Sequence, residues 1–207
     1  MRGYFFLGLD LTLVFVSLWI HDYARVWTAR RCGDMDAASR QRSADNPFAR
    51  VDWIGSVLLP LFLLFRRFPV LGWTKPLDVD PDKLRRPQRD GVLIALAGPA
   101  ANLLLTLAGI GLVRGLQAAG LFPSRELGNL LISFCQANAC LTVFNLLPIP
   151  PLAMSAAAEL LLQGDALTAF EEIKPYGFIL LLAGVYFNFF DFLTRPVTRL
   201  VMSLLGF

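Results

Sequence analysis

The stretch from Phe144 to Met154 constrains the fold most, because it ends a long apolar segment with three prolines in four residues. Proline lacks a backbone N–H and its ring clashes with the preceding turn. A continuous helix is therefore not expected to pass through Pro148, Pro150 and Pro151. Irregular backbone at membrane depth is tolerated only where it is buried in protein or lines a polar cavity. The sequence thus predicts that this stretch is a functional site, or what remains of one.

The chain around this stretch is too apolar for an ordinary soluble domain. Hydrophobic residues make up 56% of its 207 residues, and its mean hydropathy is +0.56. The net charge is only +3, and the basic residues cluster in loops beside apolar segments, which is typical of membrane orientation and not of nucleic-acid binding. We predict one all-α membrane domain, residues 1–207, that is surrounded by lipid and binds no nucleic acid.

Four to six transmembrane helices are expected, with an irregular or re-entrant region among them. The clearest apolar segments are residues 4–20, 91–119, 127–147 and 175–192. A further segment, residues 51–70, is interrupted by a proline and an Arg-Arg pair, and it separates two basic stretches, residues 30–52 and 74–90. A single crossing would place these stretches on opposite sides, against the positive-inside rule, whereas a hairpin would place both on one side. The sequence leaves both possibilities open.

The segments after the prolines are shorter. Residues 155–162 are predicted to form a short Ala/Leu helix, residues 163–175 a polar connection, and residues 197–207 are too few to span a membrane. At the other end of the chain, Asp10 lies inside the first apolar segment, which makes it a functional candidate by default. Its nearness to the N-terminal end favours a hydrated carboxylate at the interface.

Four short motifs follow one another along the chain. His-Asp-Tyr-Ala-Arg occupies residues 21–25, Gly-Trp-Thr-Lys-Pro residues 72–76, Ala-Gly-Pro-Ala-Ala-Asn residues 97–102, and Asn-Leu-Leu-Pro-Ile-Pro-Pro-Leu residues 145–152. In order and spacing they resemble the site-2 protease family of intramembrane zinc metalloproteases, in its short bacterial type. That family has His-Glu-x-x-His, Gly-Trp-Ala-Lys-Pro and Asn-x-x-Pro-x-Pro-x-Leu-Asp-Gly at the first, second and fourth positions.

The resemblance implies a multi-pass protein of the bacterial inner (plasma) membrane. Its protease core would cover about residues 15–160 of this chain, and residues 163–207 would form a C-terminal helical extension.

The departures from the family motifs bear directly on function. The resemblance implies a zinc ion held by two histidines four residues apart and by the aspartate of Leu-Asp-Gly, with the glutamate as general base. This chain keeps the first histidine as His21, but has Asp22 for the glutamate, Arg25 for the second histidine and Ala153 for the aspartate. A catalytic zinc site needs about three protein ligands and an open water position. We therefore expect no zinc, no other cofactor and no catalytic residues.

A pseudoprotease that serves as a structural or helix-binding subunit of a larger membrane complex is the function predicted. Its partners would be transmembrane helices of other proteins, with the candidate binding residues Asn102, Asn145, Pro148 and Pro150 and an aromatic run at residues 187–192. Two alternatives stay open. One is an intramembrane zinc metallopeptidase with a non-standard site. The other is a subunit of an energy-converting membrane complex that contacts a pigment, a haem or a quinone.

Overall fold

A computed structural model describes residues 2–37, 51–65, 70–121 and 124–206, and in these ranges the chain is helical and contains no β-strand. The all-α membrane fold is thereby confirmed. In chain order the α-helices of these ranges are α1 (Arg2–Cys32), α2 (Leu59–Phe65), α3 (Pro87–Ala118), α4 (Arg125–Asn145), α5 (Ala153–Leu161), α6 (Asp165–Ile173), α7 (Gly177–Tyr186) and α8 (Asp191–Leu205).

Three long helices, α1, α3 and α4, pack against one another and form the centre of the molecule. Within the described ranges, α3 and α4 are long and apolar enough to cross a membrane, and a third crossing results if the bent stretch Asp165–Leu205 counts as one span. With 31 residues, α1 is about 46 Å long, which exceeds the ~30 Å hydrocarbon core of a bilayer. The total of four to six spans stays a prediction.

The interrupted apolar segment does not cross the bundle. It forms a π-helical turn, Trp53–Leu58, that continues into α2, and the two together are too short to span a bilayer. Beyond it, residues 70–80 have no helical structure. In its described part the segment is therefore irregular and short, as expected for an irregular or re-entrant region, which was one of the two possibilities that the sequence left open.

Direct contacts decide the side on which the second basic stretch lies. The backbone N–H of Asp80 donates to the Asp34 carboxylate at 2.9 Å, and the Lys83 ammonium pairs with Asp36 at 2.8 Å. Asp34 and Asp36 directly follow the C-terminal end of α1. The described part of the first stretch and the second stretch therefore lie at the same end of the helix bundle, which is the arrangement that a hairpin would give.

The proline stretch breaks the helix as predicted. Because α4 ends at Asn145 and α5 begins at Ala153, residues 146–152 are left as a turn. Leu152 in this turn packs into a buried cluster with Trp73, Phe144 and further apolar side chains. The end of the broken segment is thus anchored in the protein core by Leu152, whereas Leu146 and Pro148 at its start are exposed.

Two expectations for the C-terminal part are wrong. Residues 163–175 are not merely a polar connection, because they contain α6, which starts after Gly164 in a backbone conformation with φ 57°. The last apolar segment is not one straight helix either. Asn188 has a left-handed φ of 55° between α7 and α8, and the chain bends by 63° at this break. The polar pattern of residues 163–175 did not indicate helix α6. The single residue Asn188 did not indicate the bend between α7 and α8.

Candidate functional site

His21 is packed between helices and does not reach the surface. Its side chain is 2% exposed and lies against Gly98 of α3, where an added Cβ would collide with the imidazole ring. Asn102, one turn further along α3 and fully buried, lies beside the ring. Gly98 therefore permits the close approach of α3 to α1, and the imidazole fills the space that a larger residue would occupy.

Asp22 and Arg25 form a buried ion pair on the same part of α1. Arg25 Nη1 lies 3.9 Å from Asp22 Oδ1, with side chains 4% and 6% exposed. The Thr74 hydroxyl donates a hydrogen bond of 3.2 Å to the same carboxylate oxygen. Two unit charges at this separation attract by about 4 kcal/mol at an effective dielectric constant near 20, against about 1 kcal/mol in water. Desolvation of the two charges offsets this attraction, so the clearest effect of burial is that removal of one partner leaves a costly buried charge.

The loop that carries Thr74 is fixed on both sides by hydrogen bonds. Asn145, the last residue of α4, donates from Nδ2 to the Gly72 carbonyl at 3.2 Å. On the opposite side, the Ser56 hydroxyl donates to the backbone carbonyl of Trp73 at 2.7 Å, and the backbone N–H of Trp73 donates to the Gly55 carbonyl at 3.2 Å. These bonds hold the Thr74 side chain over Asp22, so Asn145 acts on the site through this loop.

The remaining predicted residues lie at or beyond the edge of this group. Ala153 begins α5 and is 2% exposed, and its neighbour Leu152 packs in the same cluster as Trp73. Position 153 is therefore close to the Gly-Trp loop, but it presents only a methyl group. Pro150 lines a cleft beside the site, whereas Pro148 is exposed and does not line that cleft.

Thr74 and Gly98 are the site residues that sequence reasoning missed. Thr74 stands where the family motif has alanine, and this departure was visible in the sequence. The sequence did not indicate that the added hydroxyl contacts Asp22. Gly98 was recognised only as a small residue that allows close helix packing. That its partner is His21 depends on how α1 and α3 are placed.

The residues at this site do not fit a catalytic zinc ion. His21 is the one histidine in the sequence. Within the described ranges, no three side chains of His, Cys, Asp or Glu come together. Arg25 stays protonated and would repel a dication, and the Ala153 methyl group offers no donor atom. The donor set therefore lacks both the number and the charge that zinc requires.

A cleft of about 770 Å³ opens beside the site, a size typical of ligand and peptide sites. Trp73, Pro150 and Phe178 are among the apolar side chains that line it. Its polar lining includes the ion pair of Lys174 and Glu159, with the ammonium and carboxylate 2.7 Å apart. The cleft thus joins the Gly-Trp loop, the proline turn and the start of α7.

Comparison with known proteins decides the family. The chain is 32% identical to the putative zinc metalloprotease YwhC of Bacillus subtilis (strain 168) over 178 residues, which is 84% of this chain and 78% of YwhC. The chain belongs to the site-2 protease family. It is also 31% identical over 170 residues to the putative zinc metalloprotease Rip2 of Mycolicibacterium smegmatis, of which it covers 61%. No family model and no solved structure matches the chain.

Replacing Gly98 by alanine tests the packing of His21. We expect Gly98→Ala to lower the free energy of unfolding by about 1–3 kcal/mol, because the new Cβ displaces the imidazole or α3. Gly111→Ala on the same helix is the control, since nothing lies within 4 Å of its added Cβ. Thermal unfolding in detergent, followed by circular dichroism, compares the two variants. Equal stability of both would contradict this packing.

Breaking the ion pair tests whether the two charges depend on each other. Arg25→Met is expected to cost roughly 3–5 kcal/mol of stability because it leaves the Asp22 carboxylate buried without its cation. The double variant Arg25→Met/Asp22→Leu should lose clearly less than the sum of the two single variants.

The exposed pair of Lys83 and Asp36, 40% and 60% exposed, is the control for this double-mutant cycle. Its coupling should stay below about 1 kcal/mol. Additive effects at Arg25 and Asp22 would show that the buried pair is energetically unimportant.

Proposed function

We propose that this chain is a catalytically inactive member of the site-2 protease family, a pseudoprotease. It acts as a structural or helix-binding subunit of a membrane complex and lies in the bacterial inner membrane as a multi-pass protein. One observation carries the proposal. The residues that depart from the family motifs at positions 22, 25 and 74 are bonded to one another in a buried network.

Part of this site is satisfied by hydrogen bonds and part is not. Nδ1 of His21 and the side-chain amide of Asn102 are buried and have no hydrogen-bond partner among the described residues, which is costly in a buried environment. Oδ1 of Asp22, in contrast, accepts a hydrogen bond from the Thr74 hydroxyl and lies 3.9 Å from the Arg25 guanidinium, with which it forms an ion pair. The same oxygen is therefore engaged in holding the fold, whereas a general base must reach a metal-bound water. These contacts support a site remade for stability.

The cleft supports the binding half of the proposal. It lies beside the residues that depart from the family pattern, and its apolar lining of Trp73, Pro150 and Phe178 suits a hydrophobic segment of a partner. YwhC and Rip2 are described as putative zinc metalloproteases. A scaffold shared with such proteins and deprived of its chemistry supports a role in holding transmembrane segments, as a structural subunit does.

Metal content tests the loss of catalysis. We expect the detergent-purified protein to hold almost no zinc, and the double variant Arg25→His/Ala153→Asp to bind about one zinc ion per chain, because it restores three ligands. The control adds His21→Ala to the double variant and should lose the metal again. Elemental analysis measures all three proteins.

Two results would count against this part of the proposal. Stoichiometric zinc in the unchanged protein, together with cleavage of a membrane peptide, would overturn the pseudoprotease assignment. A double variant without zinc would show either that positions 25 and 153 do not correspond to the family ligands or that the scaffold around them is not intact.

A bulky residue in the cleft tests partner binding. Ala156 is exposed and lines the cleft, so Ala156→Trp should remove the proteins that co-purify with the chain from its native membrane. Leu104→Trp is the control, because Leu104 is 67% exposed on α3 and does not line the cleft. A photo-crosslinking residue at position 156 should yield one adduct, with a transmembrane segment. A complex that survives Ala156→Trp, or no constant partner, would exclude this surface.

A further inference from the structure

A second polar site lies between α1 and α4, away from the ion pair. It is a cavity of about 20 Å³ whose polar lining residues are Asp10, Ser17, Ser133 and Asn138. The other lining residues are apolar. Asp10 is the one titratable side chain among the described residues that line this cavity.

The cavity lies at membrane depth. Its α4 residues run from Ser133 to Asn138, which places them about 12–20 Å along the helix from Arg125. The whole of α4 is about 31 Å long, so these residues are near the middle of the span. Although Asp10 is near the N-terminal end of the sequence, it therefore shares a cavity with residues of the middle turns of a membrane helix.

Hydrogen bonds leave mostly acceptors facing the cavity. Asn138 is fully buried, and its Nδ2 donates to the Ser17 hydroxyl at 3.0 Å and to the Phe134 carbonyl at 2.9 Å. The Ser17 hydroxyl in turn donates to the Leu13 carbonyl at 2.8 Å. Oδ1 of Asn138 and Oδ1 of Asp10 are both buried and accept no hydrogen bond from the described residues. Two acceptor oxygens thus meet one cavity and need a donor between them.

Charge decides what that donor is. An ionised carboxylate in a membrane interior is costly unless a cation pairs with it, and otherwise the group takes up a proton. The described residues that line the cavity come from α1, α2, Val70 and α4, and none of them is a lysine, an arginine or a histidine. Arg66 and Arg67 lie outside the described ranges. A cavity of this size holds one water molecule, and such a water needs two to four polar partners.

We propose that Asp10 is an intramembrane proton-binding site. Its carboxyl group is protonated at neutral pH and donates, through one water molecule, to Oδ1 of Asn138. The water donates its second proton to the remaining lone pair of Ser17 or to Ser133. This site is independent of the pseudoprotease assignment, since it shares no residue with the ion pair or the cleft.

Chemical labelling of the whole protein in membranes tests the proposal. A hydrophobic carbodiimide reacts with protonated carboxyl groups inside membranes, so at pH 7 it should label Asp10 at least about tenfold more than the exposed Asp82. The labelling should fall as the pH rises, and Asp10→Asn should abolish it. Mass spectrometry of the peptides locates the label. Absence of the label from Asp10 would show that its side chain is an ionised carboxylate paired with a cation, and this result would overturn the proposal.

Infrared spectroscopy tests the water bridge separately. The difference spectrum between the unchanged protein and Asp10→Asn should contain the C=O stretch of a protonated carboxyl group. Asn138→Leu should move this band, because it removes the acceptor of the bridge. If Asn138→Leu does not fold, Ser133→Ala and Ser17→Ala supply the same comparison. A protonated band that none of these changes moves would overturn the bridge, and carboxylate bands alone would overturn the proton site.

Discussion

A charge inside a membrane domain must be paired, and the Arg25–Asp22 ion pair is the interaction on which the centre of this protein depends. The pair lies on the face of α1 that meets the Gly-Trp loop, and Thr74 of that loop completes it. Loss of either charge would leave the other buried. The loop that carries Thr74 is held from two sides by Asn145 and Ser56, so these hydrogen bonds help to position Thr74 at the pair.

Backbone hydrogen bonding sets the second constraint. Residues 70–80 have no helical structure although they follow an apolar segment, so their N–H and C=O groups need partners other than their own turn. Near Trp73 these partners are the Gly55 carbonyl, the Ser56 hydroxyl and the Asn145 amide. Close packing makes the bonds possible, since an added Cβ at Gly55 would overlap the Trp73 indole. Re-entry of the chain is thus stabilised by the protein and not by lipid.

The proposed function follows from one exchange of interactions. In the site-2 protease pattern a metal would join α1 to the residue after the proline turn, whereas here the hydrogen bond from the Thr74 hydroxyl to Asp22 joins α1 to the Gly-Trp loop. The ion pair of Asp22 with Arg25 lies within α1 itself. His21 fills the space against Gly98, a packing role that needs no metal. Under the proposed function, the buried contacts of Asp22 take the place of the metal cross-link. The proposed proton site at Asp10 lies outside the residues of the family motifs.

The sequence by itself determined the fold class and the break in it. Apolar composition required a membrane domain, three prolines required an interruption after Asn145, and the motif at residues 21–25 already carried Arg25 in place of a ligand. Only the tertiary structure decided that residues 34 and 80 meet at one end of the bundle, that Thr74 meets Asp22 from 52 residues away, and that Asp10 shares a cavity with Asn138 of α4. The reason is physical. Composition and local sterics act between neighbours in the chain, whereas these contacts depend on how a re-entrant segment and three packed helices bring distant residues together.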